Sequence, residues 1–479
     1  MQTRVQEKEK TRPVIPTKEG SGRRSARWPT GQLAGSPAVV GGQRFGIPTR
    51  SLLRQDDRAG FSPKQKLPPL VVVIFLTLPF FDSSAQPTDS TRSKPRVSAE
   101  TLLFTGYTRA DTAQGRYLTL GPLVPNLIQF NTVEGWVLSQ SLDFSHKLAQ
   151  NQQFLSLGGA VRYGFASRQV YAKGYVSWLF DRASGQSIRL EGGWYVQQFN
   201  PDEPITPLLN TSATLLRGVN FLKEYERQFL TLRYERKVGK RLTLTPSLEL
   251  ARRVALPNAT DFSFRREDRR RFTSNDPQRP AGNELAFRPH DLIQPGLDAQ
   301  LDWGENFNRL SLSYRQTLPD DGVAPHFAKI RLQYSANWPA RRGLGESRLT
   351  LSTGTFLWKN IAYFPDYWHF FGNETRALRT QTEAFALLPY YTHSTDRWFV
   401  QGFYERHFQG QFLGKIPLFN ALAWHELLGL RALLTPERGL YAEATIGLEN
   451  VFRLYRFDLI AAFGDPYSAR LALRYGVAL

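Results

Sequence analysis

Glu405, His407, His425 and Glu426 are the residues whose types and spacing come closest to chemistry. A histidine beside a carboxylate can serve as general base and orienter. Glu405 and His407 stand two apart on an alternating segment and so share a face. The reaction would be a hydrolysis. A zinc version fails on spacing, because HELLG puts Gly429 where an H-E-x-x-H motif needs its second histidine. No G-x-S-x-G elbow or Walker loop occurs. A polar interior accounts for such a pair without catalysis. The sequence therefore assigns no enzymatic activity, no cofactor and no metal. Glu405, His407 and His425 are kept as the candidates of a hydrolase alternative.

Other stretches invite binding. RREDRRR offers Arg265, Arg266, Arg269, Arg270 and Arg271 as contacts for an anion or for lipopolysaccharide phosphates, against the plainer reading of a solvated loop. FPDYWHFFGNE (364–374) gathers five aromatic rings, which suit an aromatic girdle, a loop packed across a barrel mouth or a ligand platform. GKIPLF (414–419) reads as a short fixed turn or plug segment stiffened by Pro417.

The elements that would position these residues are strands. In RLALRYGVAL, Leu471, Leu473, Tyr475, Val477 and Leu479 alternate with Ala472, Arg474, Gly476 and Ala478. RLTLTPSLELARRV and KIRLQYSANW repeat the pattern, with Arg331, Gln333 and Ser335 on the polar side of the second. Sixteen such segments of 9–13 residues run from 136–146 to 469–479, and 379–388 is one of them. Strands that cross a bilayer at a tilt need about 9–11 residues, whereas ordinary globular strands average 5–6. Long alternating strands with aromatic ends predict an all-β, transmembrane antiparallel β-barrel of about sixteen strands, within a range of fourteen to eighteen. A soluble β-sandwich would show the same alternation with shorter strands. If the last strand runs toward the periplasm, strict alternation puts 200–225, 254–291, 359–378 and 409–420 on the periplasmic side, against the habit of such barrels.

The longest apolar run, Leu67 to Phe81, has 15 residues broken by Pro68, Pro69 and Pro79. That is short for a spanning helix. Lys64 and Lys66 before it and Ser83-Ser84-Ala85 after it make a signal peptide, with cleavage after Ala85. Residues 1–66 carry 14 Lys/Arg and 5 Asp/Glu without periodicity and read as a disordered or non-native leader, from a misplaced start. The segment 86–100 is a linker, and 101–479 the barrel. Without leader and signal the net charge is about +11 on simple counting. An exported chain meets anionic lipid rather than nucleic acid. The absence of cysteine removes disulfides, thiol catalysis and thiolate zinc sites.

Three stretches carry a resemblance: LIQFNTVEGWVLSQSLDFSHKL (127–148), HFQGQFLGKIPLFNALAWHELLGLRALL (407–434) and ATIGLENVFRLYRFDLIAAF (444–463). Their most specific pieces are Phe130-Asn131-x-Val133-Glu134-Gly135, the run Gly410 to Leu418, and Glu449-Asn450-Val451-Phe452. Together they resemble a family of Bacteroidota outer-membrane barrel proteins of unassigned function, usually preceded by a carboxypeptidase-regulatory-like domain. The resemblance implies the outer membrane and supplies no catalytic residues. It also implies a preceding domain for which 86–99 leaves no room. The expected function is an integral outer-membrane barrel of unknown role, with a pore or transport barrel in view. The alternatives are a scaffold for envelope complexes, with 254–291 and 359–378 as contact surfaces, and the hydrolase. Outer-membrane lipid, lipopolysaccharide and other envelope proteins are the expected partners.

Overall fold

The computed structural model describes residues 101–479, except 149–152, 183, 266–271, 280–284, 305–306, 319–321, 340–344, 376–382 and 478–479. The leader, the signal run 67–85 and the linker 86–100 lie outside the described residues.

Among the described residues a helical turn at Thr101–Thr105 leads into a hairpin of two five-residue strands, β1 (Tyr107–Asp111) and β2 (Arg116–Leu120). A short helix α1 (Leu123–Leu127) and strand β3 (Gln129–Asn131) follow. The long strands begin with β4 (Gly135–Lys147), β5 (Phe154–Gly164), β6 (Gln169–Asp181), β7 (Gln186–Gln198), β8 (Glu224–Val238) and β9 (Leu242–Ala255). They continue with β10 (His290–Trp303), β11 (Phe307–Gln316), β12 (His326–Pro339), β13 (Glu346–Ile361) and β14 (Trp398–His407). The last are β15 (His425–Thr435), β16 (Gly439–Val451), β17 (Tyr455–Gly464) and β18 (Tyr467–Val477). All 18 join one antiparallel sheet. From β4 onward each long strand pairs with the next, and β2 and β3 share the other edge of β4 end to end.

The period-2 pattern sorts every long strand into two faces. Leu428, Ile446, Leu459 and Leu473 form one registered row across β15–β18. That row points outward, with Ile446 64% exposed, whereas Asp458 and Thr445 on the opposite face are 0% and 2% exposed. Leu190, Leu232 and Leu248 repeat the outward row on β7–β9. A water-soluble protein would not expose so continuous an apolar surface. The polar face is inside, which is the inversion a barrel in a bilayer shows. No helix among the described residues is long and apolar enough to cross a membrane.

Closure follows from contacts. The connection 362–397 bonds to β9 and β12 through Asp366, and to β16 and β18 through Ala386. Tyr390, four residues beyond Ala386, packs on Phe221 just before β8, ten strands from β18 and roughly 48 Å away in a flat sheet at ~4.8 Å per strand. One short segment touches strands that far apart only if the sheet curls around it.

Fifteen of the sixteen expected segments coincide with β4–β18, and 379–388 does not. Among its described residues, 383–388 form no strand; Ala384 to Leu388 are buried inside the lumen. Removing that false strand reverses the assignment of sides. The connections 199–223, 256–289 and 362–397 share one rim, opposite the end where β18 finishes, and only 408–424 lies on the C-terminal rim. The expected gathering of all four on one side is thereby corrected.

Candidate functional site

The rim opposite the C-terminal end carries a cap. Its first part is α2 (Pro207–Arg217), which starts on Pro207 and stops at Gly218 in the left-handed region (φ 67°). Proline suits a first helical turn, and glycine accepts the left-handed stop. Its buried polar residues Asn210 and Thr211 meet the Phe130–Gly135 turn. Thr211 Oγ1 accepts from Phe130 N at 2.8 Å, and Asn210 donates to Asn220 Oδ1 at 2.9 Å. Asn131 Oδ1 accepts from the backbone of Val133 and Glu134, at 2.9 and 2.7 Å, closing the turn on itself. Glu134, 0% exposed, takes both arms of the Arg162 guanidinium from β5. Gly135 holds φ 71°, and a Cβ there would lie 2.7 Å from that of Ala166. The motif is a buried polar hub tying cap to wall.

The second part, 362–397, enters the lumen. Phe385, Leu387 and Leu388 pack against the inward side chains Phe399, Phe403, Leu433, Tyr441 and Ile460. Phe364 joins Phe199, Tyr225 and Phe287. Tyr390 joins Ile205, Ala213 and Phe221, so the three long connections form one body. The aromatic stretch 364–374 is therefore a loop packed across the barrel mouth, with Phe364 and Phe370 buried.

Within this cap two histidines are held neutral. His369 bonds Ser394 Oγ at 2.8 Å and the Phe364 carbonyl at 2.9 Å. Enclosure and the nearby Lys329 ammonium push it down to about 3. Burial pushes His393, 2% exposed, down to about 4. Removing water from a charged imidazole disfavours that form.

Under the cap lies a cavity of about 550 Å³. Phe199, Asp202, Asp366 and Trp368 of the cap form its cover, and inward residues of β7–β12 its wall. Arg227 pairs with Glu249 at 2.6 Å, Arg315 with Asp298 at 2.7 Å, and Arg253 with Asp366. Asp366 also accepts the Lys329 ammonium on its carbonyl at 2.6 Å. Arg331 and Asp298 stand on the polar sides of alternating segments, which is the signal they leave in the sequence. Their convergence depends on register across six strands.

Glu405 and His407 do come together, on the inner face of β14. Arg431 and Arg456 donate to Glu405 Oε1 at 2.8 and 3.1 Å, and His407 Nε2 lies 3.6 Å from Glu405 Oε2. His407 Nδ1 meets Glu449 at 2.9 Å. Every partner of this pair is a strand residue facing the lumen, and the result is an ion network spanning β14–β17. His425 stands in register with Glu449 but outside the hydrogen bonds of that pair. Glu426 points outward, where it accepts from Phe412 N at 2.6 Å.

GKIPLF is not a plug. A 3-10 turn at Leu413–Lys415 leads into α3 (Pro417–Leu422), and none of these residues is buried. Outward-facing Glu426 and Asn450 hold the connection, the latter donating to Ala423 O at 2.7 Å. The segment lies on the outer side of the C-terminal rim because those anchors do. Of the arginine run, Arg265 is exposed on 256–289, while Arg266, Arg269, Arg270 and Arg271 lie outside the described residues.

Residues 100–448 match the profile of a family of unknown function (DUF5686), its C-terminal domain. No curated protein matches the chain. Among solved structures, BamA from Haemophilus ducreyi lacking POTRA domains 1–3 aligns at TM-score 0.42 and 10% identity, over 79% of this chain and 75% of that one. CdiB from Acinetobacter baumannii aligns at TM-score 0.34 and 11% identity, over 72% of this chain and 56% of that one. These likenesses are too distant to inform the site.

Proposed function

The chain belongs to the DUF5686 family of unknown function, and from that premise we propose that it is an integral outer-membrane β-barrel serving as a capped passage for solute. One observation carries the reading. A polar cavity of about 550 Å³ lies inside the wall, and its cover meets that wall through Asp366, which bonds Arg253 and Lys329. A closed barrel satisfies its backbone in lipid, and its apolar outer rows need hydrocarbon around them. With the end of β18 at the periplasmic rim, the cap faces the exterior, where such barrels carry their long connections.

Purified full-length protein in planar bilayers tests this. The wild type is expected to show rare openings, and a Glu443→Gln/Arg474→Gln variant frequent discrete steps. No steps from either, with both folded by heat-dependent gel mobility, removes the passage. Copurification of stoichiometric envelope proteins in that event would point to the scaffold.

A further inference from the structure

The cavity under the cap holds more positive than negative side chains, and among the described residues three of the positive ones form no direct ion pair with an acid. Arg227, Arg233, Arg253, Arg315, Lys329 and Arg331 line it, against Asp202, Glu249 and Asp366. Arg227, Arg315 and Arg253 are neutralised by Glu249, Asp298 and Asp366. The others are not. Arg331 donates only to neutral oxygens, Ser352 Oγ at 2.9 Å and Gln333 Oε1 at 2.7 Å. Lys329 donates to a backbone carbonyl. Arg233 makes no hydrogen bond or ion pair among the described residues, though it lines the cavity. Asp202, the one lining carboxylate outside those direct pairs, attracts Lys329, and three cations against that one acid leave an excess of positive charge.

A second observation lies on the same wall. Arg253 is 6% exposed, and its Nε is buried with no partner. A buried donor left unpaired costs free energy, and an incoming acceptor would relieve that cost. Guanidinium forks match the oxygens of phosphate and carboxylate, and low-dielectric walls strengthen the attraction.

We propose that this cavity binds a small solute carrying two or more oxyanion charges, with Arg233, Lys329 and Arg331 as its contacts. The proposal rests on the passage reading only for what happens to the solute afterwards; binding itself stands apart.

The test is calorimetric titration of the full-length protein in detergent micelles at low ionic strength, with citrate, inorganic phosphate and uncharged sucrose as probes. Citrate is expected to bind, phosphate more weakly, and sucrose not at all. Arg233→Gln/Arg331→Gln is expected to weaken citrate by at least roughly tenfold. Arg331→Lys, which keeps the charge but loses the fork, should fall between. Arg252→Gln, on the outward ion pair with Asp291, serves as the control for folding and is expected to bind like the wild type. Citrate binding that is absent, matched by sucrose, or unchanged in the double variant overturns the proposal. Anion binding without conductance would overturn the passage reading alone.

Discussion

Glu443 on β16 accepts two hydrogen bonds from the cap, Ala386 N at 2.8 Å and Leu387 N at 2.7 Å. It is 2% exposed and also accepts from Tyr441 Oη at 2.8 Å. Two adjacent peptide N–H groups on one buried carboxylate pin the middle of the cap to the wall. Arg474 donates to Ala386 O at 3.2 Å and fixes the same peptide from the other side. Hydrogen bonds to a charged group contribute about 1.5–3 kcal/mol each. Glu443→Ala is therefore expected to destabilise the cap by several kcal/mol, read as faster proteolysis within 362–397 while the barrel keeps its gel mobility. Equal digestion of variant and wild type would remove Glu443 from the role of latch.

Glu134 and Arg162 give a second prediction. Both are buried, and Glu224 stands 3.7 Å from the same guanidinium. Removing one partner of a buried pair costs about 3–5 kcal/mol, because the other charge stays behind. Glu134→Gln should lower the melting temperature clearly, and adding Arg162→Met with Glu224→Gln, so that none of the three buried charges is left alone, should recover part of the loss. If the triple variant melts below the single one, the buried charges are not the source of the effect.

Much of this architecture can be read from residue order, and the parts that cannot have physical causes. Alternation survives wherever one face meets lipid and the other a largely polar lumen, as on β7–β12, whereas on β14–β17 the inward Phe399, Phe403, Leu433, Tyr441 and Ile460 are apolar where they meet the cap. Residues 384–388 are apolar and buried on every side, so no period separates a plug from a strand. That one error also turned the loop assignment over. The hairpin of β1 and β2 is five residues a side, too short to show a pattern. Glu405 and His407 were visible as a pair because two residues on one strand share a face. Arg233 and Arg331 stand on β8 and β12, and only curvature brings them to one cavity.

The cap histidines predict a dependence on pH. His369 and His393 sit at about 3 and about 4 in the folded state, against an ordinary value near 6.5. The unfolded cap then binds more protons than the folded one between those limits, so stability rises with pH there. Their contribution is complete above about pH 6.5 and is lost progressively as the pH falls toward 4. Protease nicking within 362–397 should accelerate between pH 7 and 5, and His393→Gln should flatten part of that slope. A nicking rate independent of pH in both proteins would exclude the histidines as the cause.

The connection 408–424 makes the last prediction. Phe412, Ile416 and Leu418 are exposed, Leu418 at 64%, and Phe452 in the neighbouring turn is 74% exposed. Their anchors Glu426 and Asn450 point outward, which sets these side chains beside the lipid-facing rows of β15 and β16. Apolar side chains in that position belong at the boundary of headgroup and acyl chain. Because the chain has no cysteine, Leu418→Cys gives a unique label site. A polarity-sensitive dye there should emit at shorter wavelength in liposomes and be quenched by brominated lipid. The same dye on Lys240→Cys, in the tight turn between β8 and β9 on that rim, should report water. Matching spectra at the two sites would place the 408–424 segment in solution and leave its apolar surface to a protein partner.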